Sequence, residues 1–372
     1  MKKLATFTAL TLAMSCANAT PVSVNPLIIE QQGSFAVGGT VKTSDGTYQP
    51  RPEITQNHTS NEFMAVFNES IASGGQTLHG DHATVSYQIP SNAKKLPLVF
   101  LHGAGQSMRT WQTTPDGREG WNNLFLRKNY AVYLVDQPRR GWSGRSTIDG
   151  KISATPDDQF WFAQFRMGEY PQFFNGVAFP QDAASLDQFF RQMTPNTGAF
   201  DVDVIAESLT ALFERIGNGV LVTHSQGGIA GWFAGIKAPD LIKGIVAIEP
   251  GNFPFPDGEV PATIDSAFGN IEPTKVSKAE FKQLTNMPII IYFGDNIADQ
   301  PSKIQGKDQW RIRLSLAKQW AQVVNKHGGD VTVVHLPEVG IKGNTHFPMQ
   351  DLNNVAVADH LANWLKEKGL AE

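Results

Sequence analysis

Leu221-Val222-Thr223-His224-Ser225-Gln226-Gly227-Gly228-Ile229-Ala230-Gly231-Trp232 is the stretch on which the reading of this 372-residue chain turns. A short β-branched run enters a serine, and small residues at helical spacing leave it. This has the form of a nucleophile elbow, in which a strained serine between strand and helix projects its hydroxyl above a sheet. Small neighbours let helix and strand approach, and Gly227 and Gly228 meet that need. Thr223 stands where G-x-S-x-G has its first glycine, so the turn must house a β-branched side chain there. A serine that merely caps a helix would look similar, and the rest of the chain decides between the two.

Outward from this stretch, 96–101, 131–135, 220–223, 245–248, Pro288–Phe293 and 331–334 are short, apolar and rich in β-branched residues. Such runs suit strands buried on both faces. Val202–Ile216, 227–236, 310–326 and 352–368 carry apolar residues at helical spacing. The alternation predicts an α/β fold with a mostly parallel central sheet flanked by helices. Ahead of it, 34–42 and 83–89 alternate apolar and polar residues as antiparallel strands at a sheet edge do.

Two excursions break the alternation, at 141–200 and 252–286. The first is aromatic-rich, with Phe160-Trp161-Phe162, Phe165, Tyr170, Phe173-Phe174, Phe179 and Phe189-Phe190 and few continuous helix or strand patterns. Packing of extra loops against the body accounts for many of these rings. A cap over an apolar pocket is the functional alternative, because insertions of this length in a compact domain usually serve a purpose.

The chain opens Met1-Lys2-Lys3, continues through an apolar run and reaches Ala17-Asn18-Ala19, a small-residue site of the kind signal peptidases cut. Residues 1–19 are therefore expected to be a signal peptide and 20–372 a single domain with the two excursions. The apolar run falls short of the ~20 residues a spanning helix needs, so no transmembrane segment is expected in the mature chain. The expected location is periplasmic or fully secreted. Cys16 is the only cysteine and lies within the signal. Thiol catalysis, disulfides and cysteine metal sites are thereby excluded from the mature chain. Net charge is −4 with no long basic run, which gives no electrostatic footprint for nucleic acid or anionic membrane. A small, near-neutral substrate fits better.

Val99-Phe100-Leu101-His102-Gly103-Ala104-Gly105-Gln106-Ser107 is again a strand followed by a flexible turn. Acyl transfer generates an oxyanion, and backbone N–H groups held by such a turn and by the residue after the nucleophile can stabilise it. Ala104 and Gln226 are the candidates. The turn matches neither glycine-rich phosphate-binding pattern, so no nucleotide cofactor is indicated. Asp136-Gln137-Pro138-Arg139-Arg140-Gly141 ends another strand in a charged turn. Gly343-Asn344-Thr345-His346-Phe347-Pro348 places a histidine between the last strand and the last helix, where a loop can lean over the carboxyl edge of the sheet. Imidazole takes a proton from serine near neutral pH without large tuning. His224 reads as elbow packing, and His58, His79 and His82 show no metal-ligand spacing.

In this order of parts (His102-Gly103 turn, Asp136 turn, Ser225 elbow, acid, His346) the sequence resembles the α/β-hydrolase superfamily from about Ser34 onward. His224-Ser225-Gln226 together with Ile248-Glu249-Pro250-Gly251 resembles secreted bacterial esterases whose triad acid is a glutamate on the strand after the nucleophile. Those esterases can carry adjacent cysteines in the oxyanion turn, where this chain has Ala104-Gly105. The resemblance implies a serine esterase that forms an acyl-enzyme, with Ser225, Glu249 and His346 as triad, a small-molecule ester as substrate and no cofactor or metal. Amidase or acyltransferase activity would use the same residues. A haloalkane dehalogenase would want a carboxylate at position 225. A catalytically silent binding protein on the same fold is a reading of another class. Two carboxylates compete as acid. Asp295 follows Pro288–Phe293 at the position the superfamily uses more often, yet Gly294-Asp295-Asn296 is also ordinary turn chemistry. Glu249 closes an apolar buried strand and would incur a desolvation cost of several kcal/mol unless an imidazolium partnered it. Glu249 is the expected acid.

Overall fold

The six buried runs and the two alternating ones become the eight strands of one sheet in the computed structural model, which describes residues 26–49 and 60–372. The expected signal peptide with Cys16, and His58, lie outside those residues. In chain order the strands are β1 (Ile29–Thr43), β2 (Thr77–Pro90), β3 (Leu98–Leu101), β4 (Val132–Asp136), β5 (Gly219–His224), β6 (Ile242–Ile248), β7 (Pro288–Phe293) and β8 (Asp330–His335). They lie side by side as β1-β2-β4-β3-β5-β6-β7-β8. β2 pairs antiparallel with β1 and β4, and every pairing from β4 to β8 is parallel.

Alternate side chains of a strand point to opposite faces, and the core divides accordingly. Val99, Leu101, Leu221, Ile245 and Ile291 point one way and pack under helices α5 (Val202–Ile216), α6 (Gln226–Lys237) and α8 (Gln305–Lys326). Phe100, Val222, Val246 and Tyr292 point the other way, against α2 (Trp121–Arg127) and α9 (Asn354–Glu367). Both faces are covered, which is why the strands read as continuous apolar runs. The remaining helices among the described residues are α1 (Ser60–Ala72), α3 (Asp158–Gln164), α4 (Ala183–Arg191) and α7 (Lys278–Gln283).

The excursions carry more regular structure than their sequences suggest. The first contains α3, α4 and a two-residue ladder between Gly168–Glu169 and Gln172–Phe173. Asp182 caps α4 by accepting from Ser185 N–H at 3.0 Å. Many of its rings are core: Phe162, Phe165, Phe179 and Phe189 are buried, and Phe165 and Phe189 both pack on Phe347. The second holds α7 and a short parallel pair, Pro254–Pro256 with Thr274–Val276.

Strand order reverses at β3, whose neighbours are β4 on one side and β5 on the other. In open α/β sheets the crevice beyond the carboxyl ends of such strands is where ligands bind. The Gly103 turn leaves β3 at that point, and Ser225 leaves β5.

Candidate active site

Ser225 alone makes the turn from β5 into α6, at φ 53° and ψ −119°. A non-glycine residue held there stores about 1–3 kcal/mol, and the surroundings must enforce it. Ser225 N–H donates to Ile248 at 2.9 Å, while the Ser225 carbonyl accepts from Gly228 and Gly251 N–H, each at 3.0 Å. The turn after β3 comes equally close: a Cβ on Gly103 would lie 2.7 Å from Cβ of Ser225. Thr223 is housed by a reciprocal substitution, because a Cβ on Gly231 of α6 would lie 2.7 Å from its Cγ2. The bulk that the strand gains at 223 is absent from the helix at 231.

Glu249 follows β6 with φ 46°, and its carboxylate is wholly buried. Oε1 accepts from Gly294 N–H at 2.7 Å, and Oε2 is hydrogen-bonded to Nδ1 of His346. Arg166 grips the same carboxylate with both terminal nitrogens, Nη1 to Oε2 at 2.9 Å and Nη2 to Oε1. Burial pushes this carboxyl up, but the Arg166 and His346 side outweighs it and holds Glu249 at about 2. It is therefore an anion throughout the neutral range.

His346 is seated by its loop and by rings. Its N–H donates to Phe165 O at 3.0 Å, its carbonyl pairs with His224 Nε2 at 2.8 Å, and its imidazole stacks on Phe165 and lies 4.3 Å from Trp310. Asp351 fastens the preceding residues, accepting from Thr345 N–H at 2.8 Å, Thr345 Oγ1 at 2.9 Å and Asn344 Nδ2 at 3.1 Å. Burial pushes Asp351 up to about 7 against those donors. For His346 itself, burial lowers the pKa and outweighs the Glu249 charge that raises it. Among the described residues its Nε2 makes no hydrogen bond, and none joins it to Ser225 Oγ. Such contacts are often long before substrate binds.

His224 does more than pack the elbow, since its ring lies 4.5 Å from that of His346. Asp295 is placed elsewhere. Its Oδ2 accepts from Gly343 N–H at 2.8 Å and its Oδ1 from Asn296 N–H at 2.6 Å, so it ties down the loop ahead of His346 without bonding to the imidazole.

Ala104 and Gln226 both line a cleft of about 400 Å³. Ile152, Trp161 and Met193 of the first excursion line the same cleft, so that segment roofs the site as well as filling the core. Two arginines at the site escaped the sequence reading. Arg166 is a lone cation within the aromatic run Phe160–Tyr170, and that isolation was its only signal. Arg140 sat in a charged turn where nothing separated it from Arg139, which turns away to pair with Asp81 at 2.8 and 3.0 Å.

A parallel sheet with antiparallel leading strands, a strained serine at the switch point and a buried carboxylate–imidazole pair define a hydrolase of the α/β class. The chain belongs to the alpha/beta hydrolase family, whose model matches residues 98–325. It is 30% identical over 317 residues to a protein described as "Probable secreted lipase phiG" from Fungal sp. (strain ATCC 74256), covering 76% of this chain and 85% of that one. It is also similar to a solved structure described as a novel bacterial esterase, with 29% identity, a TM-score of 0.72 and coverage of 94% of this chain and 99% of the other.

Proposed function

We propose that the protein is a carboxylic ester hydrolase working through an acyl-enzyme. The observation that carries this is the buried Glu249–His346 pair together with a serine held at φ 53° directly after His224, whose ring lies 4.5 Å from that of His346. Ser225 Oγ attacks the ester carbonyl as Nε2 of His346 takes its proton, and a tetrahedral oxyanion forms. Collapse breaks the bond to the alcohol, which leaves with the proton from His346. Water then attacks the acyl-enzyme and gives a proton to His346, and as the bond to Oγ breaks His346 returns that proton to Ser225, releasing the acid. Glu249 fixes the Nδ1–H tautomer and balances the imidazolium. The N–H groups of Ala104 and Gln226 receive the oxyanion: among the described residues no backbone carbonyl accepts from Ala104, and Gln226, first in α6, has no intrahelical carbonyl to bond. The cleft walls suit a small ester.

The chain is read as an exported, periplasmic or secreted enzyme, with residues 1–19 removed and 20–372 forming one hydrolase domain. The Ala17-Asn18-Ala19 site supports this, as does the relative described as secreted. Among the described residues no helix is long and apolar enough to cross a membrane.

A fluorophosphonate and a panel of p-nitrophenyl esters test the proposal together. Covalent mass on the Ser225 peptide, loss of turnover in step with labelling and a p-nitrophenol burst are expected. An unreactive Ser225 in active protein would overturn the mechanism, and absence of both labelling and turnover would favour a silent binder.

A further inference from the structure

Arg140 leaves the carboxyl end of β4, is 2% exposed and spends three nitrogens on three neighbours. Nη1 donates to the Gly103 carbonyl at 2.6 Å, Nη2 to Oε1 of Gln226 at 3.1 Å, and Nε to Oδ1 of Asn196 at 2.7 Å. The first two partners come from different elements, the turn after β3 and the start of α6. They also have one property in common: each belongs to a residue or peptide unit that offers an N–H to the cleft.

The Gly103 carbonyl and the Ala104 N–H are the two ends of one peptide group. A cation hydrogen-bonded to the oxygen draws electron density from the nitrogen, so the N–H becomes a stronger donor, as in any polarised chain of hydrogen bonds. Gly103 needs such fixing, because the lack of a Cβ that permits its approach to Ser225 also leaves its peptide free to rotate. The same oxygen is 3.1 Å from Nδ1 of His102 and 3.3 Å from the Gln106 N–H. His102 is held down to about 3, by burial and by the Arg140 charge, and so remains neutral. Arg140 is the one full positive charge bonded to that carbonyl.

Resting on the ester-hydrolase reading above, we infer that Arg140 is the positioning residue of the oxyanion hole. It clamps the Gly103–Ala104 peptide and the Gln226 side chain with one guanidinium and strengthens the Ala104 donor. Asn196, from the first excursion, holds the third nitrogen and thereby couples the roof of the cleft to the hole. The contribution appears as charge grows on the carbonyl oxygen, so it belongs to the transition state more than to bound substrate.

The test compares wild type with Arg140→Met, Arg140→Lys, Arg140→Ala and Gln226→Met, all with melts to establish folding. Readouts are kcat and KM on a p-nitrophenyl ester and the inhibition constant of a phenylboronic acid, whose tetrahedral adduct with serine mimics the oxyanion. Loss of one full oxyanion donor costs about 10²–10³ in kcat. A weakened donor in Arg140→Met is expected to cost about 10–100-fold, with KM within about threefold and boronate affinity falling in parallel. Arg140→Lys keeps the charge but not the fork and should recover part of the loss, as should methylguanidinium added to Arg140→Ala. Gln226→Met keeps both N–H groups and removes one arm, so a loss of a few-fold is expected. If Arg140→Met folds and retains kcat and boronate affinity, the inference is wrong. If it fails to fold, unchanged boronate affinity in both Arg140→Lys and Gln226→Met overturns it. Fluorophosphonate labelling of wild-type Ser225 separates this from failure of the parent reading.

Discussion

Arg166 and Glu249 form a two-pronged ion pair from which water is wholly excluded, each side chain 0% exposed, and Oε2 of the same carboxylate also meets His346. On the proposed mechanism this carboxylate is shared between a permanent cation and one that exists only during turnover. Arg166 holds Glu249 ionised and orients it, and at the same time its charge disfavours protonation of His346.

Removing that charge has two expected effects. Arg166→Gln leaves Glu249 buried without the permanent cation bonded to it and should destabilise the fold by about 3–5 kcal/mol, read in denaturant unfolding. Because the Arg166 charge lowers the His346 pKa, its loss should move the acid limb of the kcat/KM profile to higher pH. An acid limb that stays where it was in a folded variant would show that Arg166 is not electrostatically coupled to the base.

The proposed mechanism requires a neutral His346 to accept the Ser225 proton. Burial, the largest influence, lowers the His346 pKa below the ordinary imidazole value of about 6.5. The rate is therefore expected to rise with pH through an inflection on the acid side of that value and to be flat from about pH 7 to 8. An inflection at or above neutrality, measured in kcat/KM, contradicts this.

Ser225→Ala should lower kcat by on the order of 10³-fold or more without loss of fold. The acid is tested by a pair of amides. Glu249→Gln should lose several powers of ten, since the amide favours the wrong tautomer of His346. Asp295→Asn keeps an acceptor for one of its two backbone donors and should lose far less. The reverse ranking would make Asp295 the acid.

The match between Thr223 and Gly231 can be taken apart. Gly231→Ala places a methyl against Thr223 Cγ2 and should cost about 1–3 kcal/mol. Adding Thr223→Ala removes the opposing methyl, and the double variant should regain much of that loss. Strict additivity in the cycle would show that the two positions do not compensate each other.

The sheet was legible because strands buried on both faces leave uninterrupted apolar runs. Pro288–Phe293 and Val202–Ile216 carry the same bounds in sequence and structure, and most other elements differ at their ends by a few residues. Residues 305–309 at the start of α8 were missed because Gln305-Gly306-Lys307-Asp308-Gln309 is polar and carries a glycine, although Gly306, Asp308 and Gln309 are buried against loops. α4 was missed among aromatics whose apolar face is plain only once Asp182 is recognised as its cap. Ser225, Glu249 and His346 stand out in the sequence as residues whose chemistry needs one another, and the fold hydrogen-bonds Glu249 to His346. Arg140 and Arg166 do not stand out, because a buried arginine declares itself through its acceptors, and these are 37 and 83 residues away in the chain.

Arg166 reaches the site on the same excursion that roofs it, and this limits how such a fold can be remodelled. A chimera that imported a different roof onto this sheet would inherit Glu249 as an orphan anion, and a loop chosen for shape alone would fail electrostatically before it failed sterically. Ile152 is exposed at the edge of the cleft, so diversification toward other esters has its raw material there, whereas Met193 also accepts from Gln106 Nε2 at 3.0 Å and Arg166 stays fixed as the toll on every recombination.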